Sequence, residues 1–247
     1  MTSSTASHLP LSRRLLAELL GTGLLVAVVV GSGIMAARLS PDDTGLQLLQ
    51  NSTATAFGLA VLIVVLGPTS GAHFNPVVSI VDAVLGRSDR SGLSATELGG
   101  YIGAQVIGAV AGAVLANLMF QVPTAIATTE RVDAGRLLAE VVATAGLVLV
   151  IVALSRSGRS AAIAPAVGAY IGAAYWFTSS TSFANPAVTI GRMLSDTFAG
   201  IAPASVLPFI AAQLVGGAAG AAIAVLLHPR ATTVVDAPRP TASAVSA

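Results

Sequence analysis

Three short blocks occur twice along this chain, in the same order. LLAELLGT at 15–22 returns as LLAEVVAT at 137–144. HFNPVVSI at 73–80 returns, around its Asn-Pro, as SFANPAVTI at 182–190, and IGAQVIGAVAGA at 102–113 returns as IAAQLVGGAAGA at 210–221. Self-similarity of this kind decides architecture before local propensity does. The chain reads as two halves, 13–122 and 135–228.

Each half carries three long apolar runs: Leu15 to Ala37, Leu46 to Leu66 and Tyr101 to Phe120, then Leu137 to Leu154, Ala161 to Phe177 and Val206 to Leu227. All have the length of a helix crossing a hydrocarbon core about 30 Å thick. Only 9% of residues are charged, against about 25% in soluble chains. Backbone polar groups in lipid must pair within their own segment, so the runs should be helices. The first run is too long for a signal core and contains Glu18, so it reads as a span. The predicted fold is therefore an all-α integral membrane protein with six spans. Three spans per half turn the second half upside down, and inverted repeats of this kind place a shared site near the midplane, on discontinuous helices.

The Asn-Pro blocks supply the discontinuities. Proline suits a first helical turn and breaks a helix interior, and asparagine is a good N-cap. Asn75-Pro76 and Asn185-Pro186 thus predict short helices over 76–85 and 186–195. Irregular chain is expected ahead of each, at Gly67 to Ala72 and Thr178 to Ser182. Such backbone is tolerated at membrane depth where it lines a watery cavity. The expectation is a pore with two half-helices meeting head to head.

Charge fixes a predicted orientation. There is no lysine, and the net charge of +1 leaves no basic footprint for nucleic acid. With the termini inside, Arg13, Arg14, Arg87, Arg90, Arg156, Arg159, Arg230 and Arg239 fall on cytoplasmic segments, while Arg38, Arg131, Arg136 and Arg192 fall outside. The bias places both termini in the cytoplasm of an inner or plasma membrane. Residues 1–12 and 229–247 are polar, rich in Ser, Thr and Pro, and are expected to be disordered tails. The chain has no cysteine, which excludes disulfides and thiolate metal sites. No nucleophile–base pairing, phosphate loop or metal cluster is present, so neither an enzyme nor a cofactor is expected. His73 has no companion that would make a metal site.

GAHFNPVV and SFANPAV, with the paired Glu18/Glu140 and Gln105/Gln213, resemble the aquaporin and aquaglyceroporin (major intrinsic protein) family over residues 13–228. The resemblance implies six helices, two re-entrant half-helices, one pore per protomer and a homotetramer in lipid. It puts Asn75, Pro76, Val77, Asn185, Pro186 and Ala187 at the pore midplane. Val77 departs from the alanine of the family motif and adds bulk where the half-helices should touch. The glutamates read either as a proton relay or, the favoured reading, as acceptors for the amides of the re-entrant loops. Gln105, Gln213 and His73 would help to hold those loops.

The family's selectivity constriction has four positions, one of them usually an arginine three residues after the second motif's asparagine. Here that residue is Val188, and counting from the motifs gives Thr55, Ala173 and Ser182 for the others. A two-residue gap would substitute Phe57 for Thr55. The set is small and uncharged, which predicts a wide pore for small neutral solutes. Arg192, four residues on, is expected one helical turn deeper in the half-helix or facing its neighbours; the other reading is that it swings into the pore. The wording around the motifs is similar to the bacterial branch associated with arsenic resistance, which implies glycerol-type polyols, trivalent arsenite and antimonite hydroxides, methylated arsenicals and water. The rival readings are a water-dominant channel, an ion-coupled secondary transporter and a non-conducting adhesion member of the family.

Overall fold

The computed structural model describes residues 9–229. Over these the chain forms α1 (Leu11–Leu39), α2 (Thr44–Ser70), α3 (Pro76–Leu85), α4 (Ala95–Phe120), α5 (Ala134–Arg156), α6 (Ile163–Phe177), α7 (Pro186–Gly191) and α8 (Pro203–Leu227). Six segments are long and apolar enough to cross a membrane; α3 and α7 are the short ones. Leu11 and Ser12, expected in the tail, open α1. The rest of both expected tails, residues 1–8 and 230–247 with Arg230 and Arg239, lies outside the described residues apart from short stretches at 9–10 and 229. Even-numbered crossing leaves the start of α1 and the end of α8 on one face of the bundle, the terminal face; the opposite one is the far face.

Local chemistry explains where the helices start. Asp43 and Asp133 each accept a hydrogen bond from the third amide of the helix they open, Leu46 N and Arg136 N. Ser94 and Glu97 close a reciprocal capping box at α4. One expectation needs correcting. Gly67 to Ser70 are not irregular: α2 runs through Pro68 to Ser70, and Gly71, at φ 89°, ends it in the left-handed conformation. Proline in the last turn loses a single ladder bond, and glycine tolerates the turn that follows. The other half-helix is also shorter than 186–195. α7 stops at Gly191 and tightens into a 3-10 turn, Arg192–Leu194.

The halves pack alike. α1 lies on α4, and α5 on α8. These crossings are close because glycine stands at matching places: a Cβ at Gly112 would overlap the Gly23 carbonyl, and one at Gly220 the Ala145 carbonyl. Large apolar side chains such as Leu16, Phe57, Val61, Leu138 and Leu226 cover the outside, where hydrocarbon, not water, would meet them. Buried polar groups gather instead along the centre: Glu18, Gln105, Asn75, Glu140, Gln213 and Asn185.

Val77 does not intrude between the half-helices. It is buried, and a Cβ at Gly217 of α8 would overlap its Cγ1. Gly217 matches Ala109 of the first half, just as Val77 matches Ala187. A methyl absent from α8 therefore makes room for one of the two added at α3, Val77 Cγ1. Phe74 does the same with α1: it stands over Gly21, whose Cβ would overlap the ring, while the matching residues of the second half are Ala184 and Ala143.

Candidate functional site

Asn75 and Asn185 start α3 and α7 head to head. Asn75 Oδ1 accepts from Val77 N at 2.9 Å, and Asn185 Oδ1 from Ala187 N at 3.0 Å. Their amide nitrogens cross: Asn75 Nδ2 donates to Ala184 O and Asn185 Nδ2 to Phe74 O, both at 2.7 Å. Each Nδ2 carries two hydrogens, so one remains on each for the cavity that both asparagines line. Pro76 and Pro186 occupy the first helical position behind them, where no N–H is missed.

The loops feeding the two asparagines share an unusual backbone. Ala72 and Phe74 have φ of 50° and 48°, and the matching Ser182 and Ala184 have 52° and 47°. Left-handed backbone costs about 1–2 kcal/mol at a residue with a Cβ, so something must hold it. Glu18 and Glu140 do. Glu18 accepts from His73 N, Phe74 N and Ser70 Oγ at 2.6–3.0 Å. Glu140 accepts from Phe183 N and Ala184 N, both at 2.9 Å. Gln105 Nε2 bridges Glu18 to Ser79 Oγ, and Gln213 Nε2 bridges Glu140 to Thr189 Oγ1. His73 Nδ1 lies 3.1 Å from that same Ser79 Oγ and its ring leans on Tyr101. Glu18 thus accepts from four donors and Glu140 from three: loop amides, a glutamine and, at Glu18, Ser70.

A single cavity of about 1140 Å³ runs from the terminal face past the asparagines to Arg192. Asp82 and Glu97 line its terminal mouth together with Arg14, Arg90 and Arg156; Val78, Asn75 and Asn185 line its middle. At the far-face end Thr55, Tyr175, Ser182 and Val188 surround it. Tyr175, not Ala173, completes this ring. Ala173 is exposed on the outside of α6 and is absent from the lining, because the chain from α6 to Asn185 is shorter than the count assumed. The Tyr175 hydroxyl lies 3.2 Å from Thr55 Oγ1. Ser182 Oγ, also buried, has no protein partner among the described residues. The ring therefore presents three hydroxyls and one aliphatic face. Phe57 is exposed on the outer side of α2 and outside the lining.

Arg192 lines the cavity, which is the alternative to the favoured expectation that it faces its neighbours. Its guanidinium carbon sits 3.4 Å from the centre of the Phe183 ring, and Nε donates to the Ala199 carbonyl. The signal was in the sequence: residues four apart on a helix share a face, and Val188 faces the cavity. Arg131, on the loop between α4 and α5, binds the Gly200 and Phe198 carbonyls and lies 5.4 Å from the same ring. Burial pushes its pKa down to about 10, so it stays charged at neutral pH.

A family model described as "Major intrinsic protein" matches residues 5–182. The aquaglyceroporin AqpS of Rhizobium meliloti is 50% identical over 214 residues, 86% of this chain and 89% of that protein. Aquaporin NIP1-1 of Zea mays is 29% identical over 226 residues, 86% of this chain and 73% of its own. The X-ray structure of the aquaglyceroporin from Plasmodium falciparum superposes with a TM-score of 0.63 at 20% identity, covering 88% of this chain and 95% of that one.

Proposed function

The chain belongs to the major intrinsic protein family, and on that footing we propose that it is a passive channel for small neutral polyhydroxyl solutes: glycerol-type polyols, trivalent metalloid hydroxides such as arsenite and antimonite, and water. It is a multi-pass membrane protein and not an enzyme. The observation that carries the reading is the ring of Thr55, Tyr175 and Ser182 hydroxyls opposite the aliphatic Val188. A polyol has the same two sides, a row of hydroxyls and a carbon edge, and arsenite is a neutral molecule with three hydroxyls.

Permeation would work by exchange. A solute leaves its water shell at the ring, bonds hydroxyls there, and then meets the free hydrogens of Asn75 and Asn185 Nδ2. Strained loop backbone ahead of each asparagine supplies carbonyl acceptors. Both half-helices aim their positive ends at the midplane, which opposes cations and protons. The loop amides and glutamines bonded to Glu18 and Glu140 favour loop support over a proton relay. We further place the channel in the inner or plasma membrane with both termini cytoplasmic, from the arginine bias, and as the homotetramer that family membership implies.

The test is stopped-flow light scattering on proteoliposomes under glycerol, arsenite and water gradients, for the native chain and Val188→Arg. Fast glycerol and arsenite entry, sharply reduced by the arginine, is expected. Water flux without glycerol or arsenite flux would sink the polyol reading in favour of a water-dominant channel. A rate that follows an imposed ion gradient would favour the coupled transporter.

A further inference from the structure

We propose that this channel separates size selection from charge selection: the ring of Thr55, Tyr175, Ser182 and Val188 decides which solutes fit, and Arg192, one turn further toward the far face, excludes cations. The inference rests on the neutral-solute reading above.

Three observations lead to Arg192. It is only 3% exposed, yet it is part of the cavity lining. Among the described residues its guanidinium has one hydrogen-bond acceptor, the Ala199 carbonyl at Nε, and no carboxylate within ion-pair range. A guanidinium has five N–H donors, so four are left over. A charged group cannot stay buried with most of its donors unmet. The cavity is the one place where water or a solute can reach them. Phe183 and Ala199 therefore hold the flat of the group and Nε, and the terminal nitrogens face the pore.

Among the described residues no carboxylate pairs with this charge. Glu140 is fully buried behind the re-entrant loop, bonded to Phe183 and Ala184 amides, and is not in the lining. Arg131, beside the same ring, adds a second positive group. The other half offers a contrast. Asp82 occupies the matching register, seven residues after Asn75 as Arg192 is after Asn185, and it lines the terminal mouth with the opposite sign. Its Oδ2 accepts from Leu93 N. The sign at this register thus departs from the repeat. The terminal mouth mixes Arg14, Arg90 and Arg156 with Asp82, Asp89 and Glu97, while Arg192 at the far-face end has, among the described residues, no acidic residue beside it in the lining. The ring itself is uncharged, so nothing in it would repel a cation small enough to fit.

The absence of cysteine and lysine makes the test direct. In proteoliposomes, Arg192→Cys should raise methylammonium and potassium entry, relative to glycerol entry through the same variant, about 30-fold over the native ratio, the factor expected for loss of a unit charge about 8 Å away at an effective dielectric of about 20. A positively charged methanethiosulfonate reagent should then restore exclusion, and a negatively charged one should not. Val188→Ala should do the reverse: it should admit larger polyols and leave cation exclusion intact. Should the cysteine variant fail to insert, Arg192→Lys keeps the charge and should exclude cations until its sole lysine is acetylated by a water-soluble ester, with the native chain as control for the terminal amine. A cation-to-glycerol entry ratio unchanged by loss of the charge, or an introduced thiol that pore-borne reagents cannot reach in Arg192→Cys, overturns the proposal. Failure of the native channel to pass glycerol would instead sink the polyol reading itself.

Discussion

The Tyr175 hydroxyl and Thr55 Oγ1 lie 3.2 Å apart, a bond that joins α6 to α2 across the far-face end of the cavity. Either group can donate, so the pair can also turn a proton or a lone pair toward a passing solute. Removing the phenol oxygen with Tyr175→Phe should cost about 0.5–1.5 kcal/mol of stability, seen as a small fall in Tm in detergent. The same variant should keep the native size limit. Tyr175→Ala should extend it to four- and five-carbon polyols in a liposome swelling series. An unchanged limit in the alanine variant would mean that Tyr175 does not bound the pore.

Glu140 accepts two loop amides and the Gln213 amide. Glu140→Gln turns one acceptor oxygen into a donor aimed at another donor. The expected loss is about 2–4 kcal/mol, with glycerol flux falling as Ser182 loses its placement. Equal flux with and without an imposed proton gradient is expected for the native chain. A gradient-dependent rate abolished by Glu140→Gln would restore the relay reading.

Glu18 carries the heavier duty, since Ser70 Oγ adds to its loop amides and Gln105. Glu18→Gln should therefore lower Tm at least as far as Glu140→Gln. The reverse ranking in thermal unfolding would show that the two loops are not supported alike.

Gly217→Ala should destabilise by about 1–3 kcal/mol, because its methyl overlaps Val77 Cγ1. Val77→Ala in the same chain should recover much of that loss. A double-mutant cycle by thermal unfolding should give a coupling of about 1 kcal/mol or more; additive losses would mean that the two sites do not share one space.

Much of this site is written twice in the chain, and that is why it could be read. Asn75 and Asn185, Glu18 and Glu140, Gln105 and Gln213 are identical residues at matching places, and each pair has matching partners in the folded molecule. Features that break the repeat were harder. Ala173 came from counting back to α6 across a loop whose length motifs do not specify, and the ring closes through Tyr175 instead. Pro68 looked like the end of a helix, but a proline in a final turn ends nothing. The fit of Val77 depended on Gly217, a residue distant in sequence whose meaning appears only when the α4 and α8 blocks are laid side by side. Spacing from Val188 put Arg192 on the pore face, but that its guanidinium has one acceptor, the Ala199 carbonyl, is seen only in the folded molecule.

The trade between Val77 and Gly217 also has a direction in time. Take an ancestor with alanine at both places, as the second half still has at Ala187 and the first at Ala109. Valine arriving first would press against a methyl already there, at about 1–3 kcal/mol. Glycine arriving first would leave a methyl-sized gap, at about 1 kcal/mol. The gentler road opens a vacancy on α8 and fills it afterwards. Once filled, the vacancy shuts the way back, since a methyl regained at 217 now collides with Val77. Two duplicated halves can thereby drift apart one locked step at a time, while the asparagines between them stay in register.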